Sequence, residues 1–369
     1  MAKFKLVLID RPAWFLPSIE QEEFSKIDGE VLVGWARLGE SRELDPAIAK
    51  RGVSAETLSR GSVAYVAGGK HTADVYERMA YDADAIMVTP ASVTAEAMDR
   101  MPRLRVIGKP GIGYDVVDVA AATARGIVVF SAPGFCAKEV ADHTMMMMLG
   151  LARKAPLLGN AMRKGIYERS LPSPMTALYE MTLGLVAFGD IAREVALRAK
   201  PFGLKVIAFD PFVDKKTADA HGVTLVDLDT LLAQADVVSV HAPLMKETRH
   251  MIGEREFGLM KPTAVILNTA RGPVIDQTAL ISALQAKRIA GAGLDVYDHE
   301  PLEADSPLLH MDNVILTPHM AGLSDTSQMA VRRRTVRNVA NALVGKWPET
   351  RDLVNPKVKE NLRRVPPSP

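Results

Sequence analysis

The sequence predicts an α/β protein made of two doubly wound units. Short apolar runs alternate with amphipathic stretches along most of the 369 residues, the pattern of a parallel sheet with crossover helices. The runs fall into two groups, one in the first third of the chain and one in the middle. With 48% hydrophobic residues, the chain is long and apolar enough to close two separate cores.

Taken in order, residues 5–9, 85–88, 105–109 and 127–130 read as the strands of the first group. A long stretch, 14–80, separates the first two and reads as irregular. The second group comprises residues 182–187, 205–209, 237–240, 264–269, 290–296 and 314–317, with helical patterns between them. Helices are expected near 137–152, over 192–200 and over 326–343, the last rich in Arg and Ala. Residues 361–369 are polar and proline-rich and are expected to be disordered. The run Met145–Met148 reads as core filling, since methionine fits irregular gaps.

Charge is nearly balanced, 45 Lys and Arg against 44 Asp and Glu, which excludes the basic excess of a nucleic-acid binder. Cys136 is the single cysteine, so no internal disulfide forms and a reducing, cytoplasmic setting is expected. The N-terminus runs directly into a strand-like segment, so no signal peptide is expected. The apolar helical pattern at 140–151 contains Asp142 and His143 and is too short to span a bilayer. No spacing of His, Cys and carboxylates argues for a metal.

A dinucleotide site is readable at the start of the second group. After the apolar run ending at Val186 come Ala187, Phe188, Gly189, Asp190, Ile191 and Ala192, then a helical pattern. The next strand is followed by Asp210, 21 residues after Gly189. This is the strand–loop–helix–strand–acid order of dinucleotide binding. A glycine lets the backbone approach a pyrophosphate, and the helix N-terminus presents free N–H groups. The acid accepts hydrogen bonds from the ribose hydroxyls and repels a 2′-phosphate, so NAD is favoured over NADP. Ala187 and Ala192 stand where the fingerprint's first and third glycines fall.

Four later segments each follow a strand, at the end where open α/β sheets bind ligands. They are Ser239-Val240-His241-Ala242-Pro243-Leu244, Leu267-Asn268-Thr269-Ala270-Arg271-Gly272, Gly293 through Pro301, and Leu316 through Gly322. With these motifs in this order, the chain from about residue 85 to 356 resembles the D-isomer-specific 2-hydroxyacid dehydrogenase family. Within it, the stretch Cys136 to His143 is similar to the branch of phosphoglycerate dehydrogenases and C-terminal-binding proteins.

The resemblance implies a Rossmann cofactor domain inserted into a flavodoxin-like substrate domain. Residues 1–131 would form the first part of the substrate domain and 132–323 the NAD domain. Residues 324–350 would return as a helix, and 351–369 would be a partly disordered tail. The implied activity is hydride transfer between NAD(H) and C2 of a small 2-hydroxy or 2-keto acid, D-isomer specific, in a closing cleft. By the same carry-over, Arg271 binds the substrate carboxylate, and Glu300 and His319 form the acid–base pair. Asp295 meets the nicotinamide end of the cofactor. Ala187, Gly189, Asp190, Ile191, Asp210, His241, Ala242, Pro243, Thr269, Ala270, Arg271, Asp295, His319, Ala321 and Gly322 are expected to line the dinucleotide. Thr89 and the amides of Gly111, Ile112 and Gly113 are expected to meet the substrate beside Arg271 and His319. A homodimer built through 152–179 is also implied.

The chemistry explains the residue types. Reducing a 2-keto acid needs a proton donor for the forming alkoxide, and histidine titrates near working pH. A neighbouring carboxylate stabilises imidazolium and fixes its tautomer. Arginine's planar fork grips both carboxylate oxygens. The loops at 11–15, 66–71 and 89–92 are expected to select the substrate side chain, with Trp14 and Phe15 in contact, and Lys70 and His71 beside any second anionic group. His143 reads as a helix-face or packing residue. His221, His250 and His310 have no motif context, and His299 stands only beside Glu300. Two other functions stay open: a dinucleotide-sensing, corepressor-like interaction protein, and formate oxidation, against which Glu300 argues.

Overall fold

The computed structural model describes residues 4–9, 17–33, 73–89, 91–347 and 350–362. By internal contacts the chain divides into Met1–Phe135 with Asp325–Pro369 (unit 1) and Cys136–Ser324 (unit 2).

Unit 1 holds β1 (Phe4–Leu8), α1 (Ser18–Ser25), β2 (Gly29–Val33), α2 (Ala73–Ala80), β3 (Ala85–Met87), α3 (Ala95–Asp99), β4 (Val106–Gly108), α4 (Val119–Ala124) and β5 (Val128–Phe130). Its strands pair in parallel in the order β2-β1-β3-β4-β5, which is the flavodoxin-like order. Two apolar clusters cover the sheet, one around Ile86, Met98 and Ile107, the other around Leu6, Phe24 and Val339.

Unit 2 begins with α5 (Ala137–Ala152) and α6 (Ala155–Arg163), then β6 (Thr182–Val186), α7 (Asp190–Ala199), β7 (Lys205–Phe209), α8 (Lys215–Ala220) and β8 (Thr224–Leu225). There follow α9 (Leu228–Gln234), β9 (Val237–Val240), α10 (Glu254–Leu259), β10 (Val265–Asn268), α11 (Gln277–Gln285), β11 (Gly291–Leu294) and β12 (Val314–Leu316). The order β12-β11-β10-β9-β6-β7-β8 is parallel throughout. It is the Rossmann order with one further strand beyond β11, and the order reverses between β6 and β9. The chain then returns to unit 1 through α12 (Asp325–Leu343).

Local signals place these elements. Asp118, Asp214, Asp227 and Asp276 each accept a backbone N–H three residues on, capping α4, α8, α9 and α11. In β6, a Cβ on Gly184 would strike Leu231 at 2.6 Å, so only glycine lets α9 pack this close. Met145, Met147 and Met148 are buried in the core of unit 2, while Met146 is exposed. The run thus follows the period of α5 and serves packing.

The strands read from sequence are present to within two residues at either end. The stretch read as irregular is not so where it is described: it carries α1, β2 and α2. The signal failed because α1 buries two carboxylates. Glu20 and Glu23 are 0% and 4% exposed and pair with Arg332, Arg333 and Arg337 of α12. A polarity pattern reads such positions as solvent-facing. The edge strand β8 was also missed, being two residues long. Ahead of the last residues, Asp352, Leu353, Asn355 and Val358 are buried in unit 1. The expected disordered tail is described only at Asn361 and Leu362.

Candidate active site

The dinucleotide loop turns between β6 and α7 at a strained position. Ala187 has φ +69°, the left-handed region that glycine occupies without penalty. The fingerprint's first glycine therefore answers a real backbone demand that this chain meets with alanine. Ala187 N–H donates to the Phe209 carbonyl at 2.8 Å, and Phe188 N–H to Asp210 Oδ2 at 2.8 Å. Asp210 Oδ1 accepts from Phe212 N–H at 2.8 Å. Each carboxylate oxygen keeps acceptor capacity for a ribose hydroxyl.

The N–H groups of Gly189, Ile191 and Ala192 make no hydrogen bond among the described residues. A Cβ at Gly189 would meet nothing within 4 Å. Unspent amides at a helix N-terminus, beside open space and a carboxylate at the end of β7, fit a dinucleotide. Asp190 opens α7 rather than Ala192, putting a carboxylate in the first turn. Arg193 follows in the same turn, its guanidinium 5.7 Å above the Phe188 ring. Across the reversal point, His241 N–H donates to the Val186 carbonyl, and the ring lies 2.9 Å from Ser239 Oγ. Desolvation pushes the His241 imidazole down to about 4, so it is neutral at physiological pH. Ala242 and Pro243 continue from it.

Arg271, Glu300 and His319 lie just beyond the ends of β10, β11 and β12. His319 Nδ1 lies 2.7 Å from Glu300 Oε2, and the other carboxylate oxygen accepts from Tyr297 N–H at 3.2 Å. The carboxylate thereby assigns the proton to Nδ1, and Nε2 makes no hydrogen bond among the described residues. Burial would raise the Glu300 carboxyl, but the hydrogen bond and charge of His319 outweigh it and hold the group below the usual carboxylate range. Arg271 adds a smaller lowering charge.

The loop carrying Arg271 is braced from within. Asn268 is 1% exposed; its amide donates to the Arg271 carbonyl at 2.9 Å, and its oxygen accepts from Ala270 N–H at 3.0 Å. Thr269 is buried. Gly272 then packs directly on the Tyr297 carbonyl, where a Cβ would overlap backbone. This contact ties the arginine loop to the segment that presents Glu300.

Asp295 is buried, and its carboxylate is occupied by the loop that carries His319. Oδ1 accepts from Thr317 Oγ1 at 2.6 Å and Met320 N–H at 2.8 Å, and Oδ2 accepts from Ala321 N–H at 2.8 Å. Its observed partners are therefore the residues flanking His319. Gly322 packs against Cys136, whose Sγ would lie 2.9 Å from a Cβ there. Burial pushes the Cys136 thiol up to about 12, so it is not a nucleophile.

In unit 1, the amide of Gly111 is committed to the Lys109 carbonyl at 2.8 Å. The tight turn after β4 spends that amide, leaving those of Ile112 and Gly113 without a partner among the described residues. Thr89 follows β3 with its hydroxyl buried and unbonded among the described residues. Trp14, Phe15, Lys70, His71 and Pro90 lie outside the described residues. His221 packs edge-on against Phe188, as a core residue would. Among the described residues no cluster of His, Cys and carboxylates could hold a metal, and no helix is long and apolar enough to cross a membrane.

Sequence reasoning missed the contacts of α5 with these loops. His143 Nε2 lies 2.9 Å from Thr317 Oγ1, and Thr144 Oγ1 lies 3.2 Å from Thr269 Oγ1. Nothing local to residues 143–144 signals which loops that helix face meets.

The model of the D-isomer specific 2-hydroxyacid dehydrogenase NAD-binding domain matches residues 145–321. The chain is 41% identical over 263 residues to a D-3-phosphoglycerate dehydrogenase of Archaeoglobus fulgidus, covering 71% of this chain and 50% of that protein. It is 37% identical over 281 residues to a glyoxylate reductase of Korarchaeum cryptofilum, covering 75% of this chain and 84% of that protein. Among solved structures, a D-lactate dehydrogenase from Aquifex aeolicus complexed with NAD and lactic acid superposes with a TM-score of 0.76. Its identity is 27%, over 95% of this chain and 98% of that one. The chain spans about half the length of the phosphoglycerate dehydrogenases it matches. With 37% identity over 281 residues to a reductase matched over 84% of that protein's length, the chain belongs to the D-isomer-specific 2-hydroxyacid dehydrogenase family.

Proposed function

We propose that the protein is an NAD-dependent oxidoreductase that interconverts a small 2-keto acid and its D-2-hydroxy acid. The observation that carries this is the 2.7 Å pair of His319 Nδ1 and Glu300, beside the Arg271 loop at the ligand-binding end of a Rossmann sheet. Bound NADH would supply the hydride that reduces C2. The chain's own residues do the rest. Arg271 holds the carboxylate through its fork. His319 Nε2–H gives its proton to the oxygen that becomes the hydroxyl. Glu300 keeps the imidazolium charged and its ring aimed. In the reverse direction the same nitrogen takes the proton back.

In this reading unit 2 is the cofactor domain and unit 1 the substrate domain, with Thr89 and the loop of Gly111, Ile112 and Gly113 as further substrate contacts. Asp210 selects NAD through the ribose hydroxyls, and Asp190, Ile191, His241, Ala242, Pro243, Thr269, Ala270, Ala321 and Gly322 border the dinucleotide. Homodimerisation through 152–179 is supported by exposed apolar residues there, including Met162, Ile166, Tyr167 and Tyr179. A cytoplasmic setting is supported by the single buried thiol. The relatives reported above are named dehydrogenases and a reductase, which favours turnover over the corepressor-like alternative.

Steady-state assays with NADH and a panel of 2-keto acids, including glyoxylate, pyruvate and 3-phosphohydroxypyruvate, test the proposal. Saturable NADH oxidation with at least one acid is expected. Tight NADH binding with no turnover on any acid would overturn it in favour of a sensor.

A further inference from the structure

His143 and Thr144 are neighbours on α5, and each reaches one of the loops that form the site. Thr144 Oγ1 spends its hydrogen on the Val140 carbonyl at 2.8 Å. The 3.2 Å contact with Thr269 must therefore have Thr269 donating. Thr317 Oγ1 likewise spends its one hydrogen on Asp295 Oδ1 at 2.6 Å. At 2.9 Å from His143 Nε2 it can only accept, so His143 carries its proton on Nε2. The ring is 14% exposed, and Nε2 is 3.8 Å from Asp295 Oδ1.

The chain of bonds continues to the proton donor. Asp295 accepts the Met320 and Ala321 amides through its side chain and the His319 amide through its carbonyl, each at 2.8 Å. His319 itself has φ +51°. A non-glycine residue in that region is strained and persists only where its surroundings over-determine it. Here they do: one carboxylate fixes the residues on both sides of His319, and His143 fixes the hydroxyl that orients the carboxylate. The two carboxylates of α5 are engaged elsewhere. Asp142 binds Arg198 at 2.6 Å, and Glu139 accepts from Ser324 at 2.9 Å.

We propose that His143 is a positioning residue: its Nε2–H, acting through Thr317 and Asp295, sets the aim of His319. This rests on the dehydrogenase reading of the site, in which His319 is the proton donor. A helix-face histidine with no such role would affect stability and nothing else.

The test compares wild type with His143→Leu, His143→Gln, Thr317→Val and the double variant His143→Leu/Thr317→Val. A glutamine places an amide N–H near the position of Nε2. His143→Leu should lower kcat about tenfold, with the dissociation constant for NADH within about twofold of wild type. His143→Gln should recover to within about threefold of wild-type kcat, since the donor is restored. Adding His143→Leu to Thr317→Val should cost little more than Thr317→Val alone, because the two act through one chain of bonds. Equal kcat in wild type and His143→Leu, or a loss that glutamine does not relieve, would overturn the proposal. A second readout needs no turnover. In ¹⁵N-histidine NMR, His143 should be the Nε2–H tautomer, and the His319 ring resonances should move in His143→Leu and return in His143→Gln. If no keto acid is turned over but the resonances behave so, the positioning stands and the dehydrogenase reading falls. Unmoved His319 resonances in His143→Leu would sink the positioning role by themselves.

Discussion

His319 and Glu300 were legible in the sequence through their Thr-Pro-His and Glu-Pro contexts, and the structure adds why they work as a pair. One Glu300 oxygen is anchored on Tyr297 N–H while the other faces His319, so the carboxylate cannot turn away. His319→Ala should lower kcat by about 10²–10⁴-fold, the usual range for a general acid or base. Glu300→Gln removes the charge that stabilises imidazolium. The kcat for keto-acid reduction should then fall. An unchanged kcat would remove Glu300 from the proton step. Ala187 shows the opposite relation between motif and structure. Sequence flagged it only as a departure from glycine, whereas φ +69° makes it a strained residue. Relieving strain of about 1–2 kcal/mol outweighs the glycine entropy cost of about 0.5–1 kcal/mol. Ala187→Gly should therefore raise the urea midpoint modestly; a lower midpoint would mean the turn gains from the alanine methyl. The links from α5 to Thr317 and Thr269 were not legible, since they depend on which helix face meets which loop.

At the scale of elements, apolar strands between helices were readable because both faces of a parallel strand are buried. The α1–α12 pairing was not, because its core-facing residues are charged. Burial would raise the Glu23 carboxyl, but hydrogen bonds from Arg337 and Lys26 outweigh that and hold it at about 2. A depressed carboxylate contributes stability above its unfolded pKa, lost as pH falls through the folded value. The window is therefore between pH 4.5 and about 2. Arg333 and Arg337 are 37% and 54% exposed, so screening trims the contribution to about 1–2 kcal/mol. Glu23→Gln should destabilise the protein at pH 7 in urea unfolding, and the difference from wild type should shrink by pH 3. An equal difference at both pH values would show that packing, not charge, holds α1. The β6–α7–β7 unit yields a separate expectation. Asp210→Ala should narrow the preference for NADH over NADPH. Because Asp210 also holds Phe188 and Phe212, both cofactors should weaken, and the ratio of their dissociation constants is the readout. An unchanged ratio would leave Asp210 as a loop brace alone.

At the scale of the whole molecule, two parallel sheets of flavodoxin-like and Rossmann order provide the frame. Their strand ends, rather than any single motif, explain why segments from residues 187, 241, 271, 300 and 319 gather in one unit. The order of motifs along the chain was enough to foresee this, since each follows a strand of one parallel sheet. The substrate side chain was not legible in the sequence, since no motif in the loops at 11–15, 66–71 and 89–92 specifies the group they meet. The central claim, hydride transfer to C2 with D stereochemistry, can be tested without knowing that side chain's natural identity. NADH deuterated at C4, prepared separately on each face of the ring, is incubated with the protein and the keto acid that turns over fastest. The product is examined by mass spectrometry and chiral chromatography. Deuterium should appear at C2 of the D-hydroxy acid from one labelled form and not the other. A product without deuterium from either form, or one of L configuration, would contradict the account.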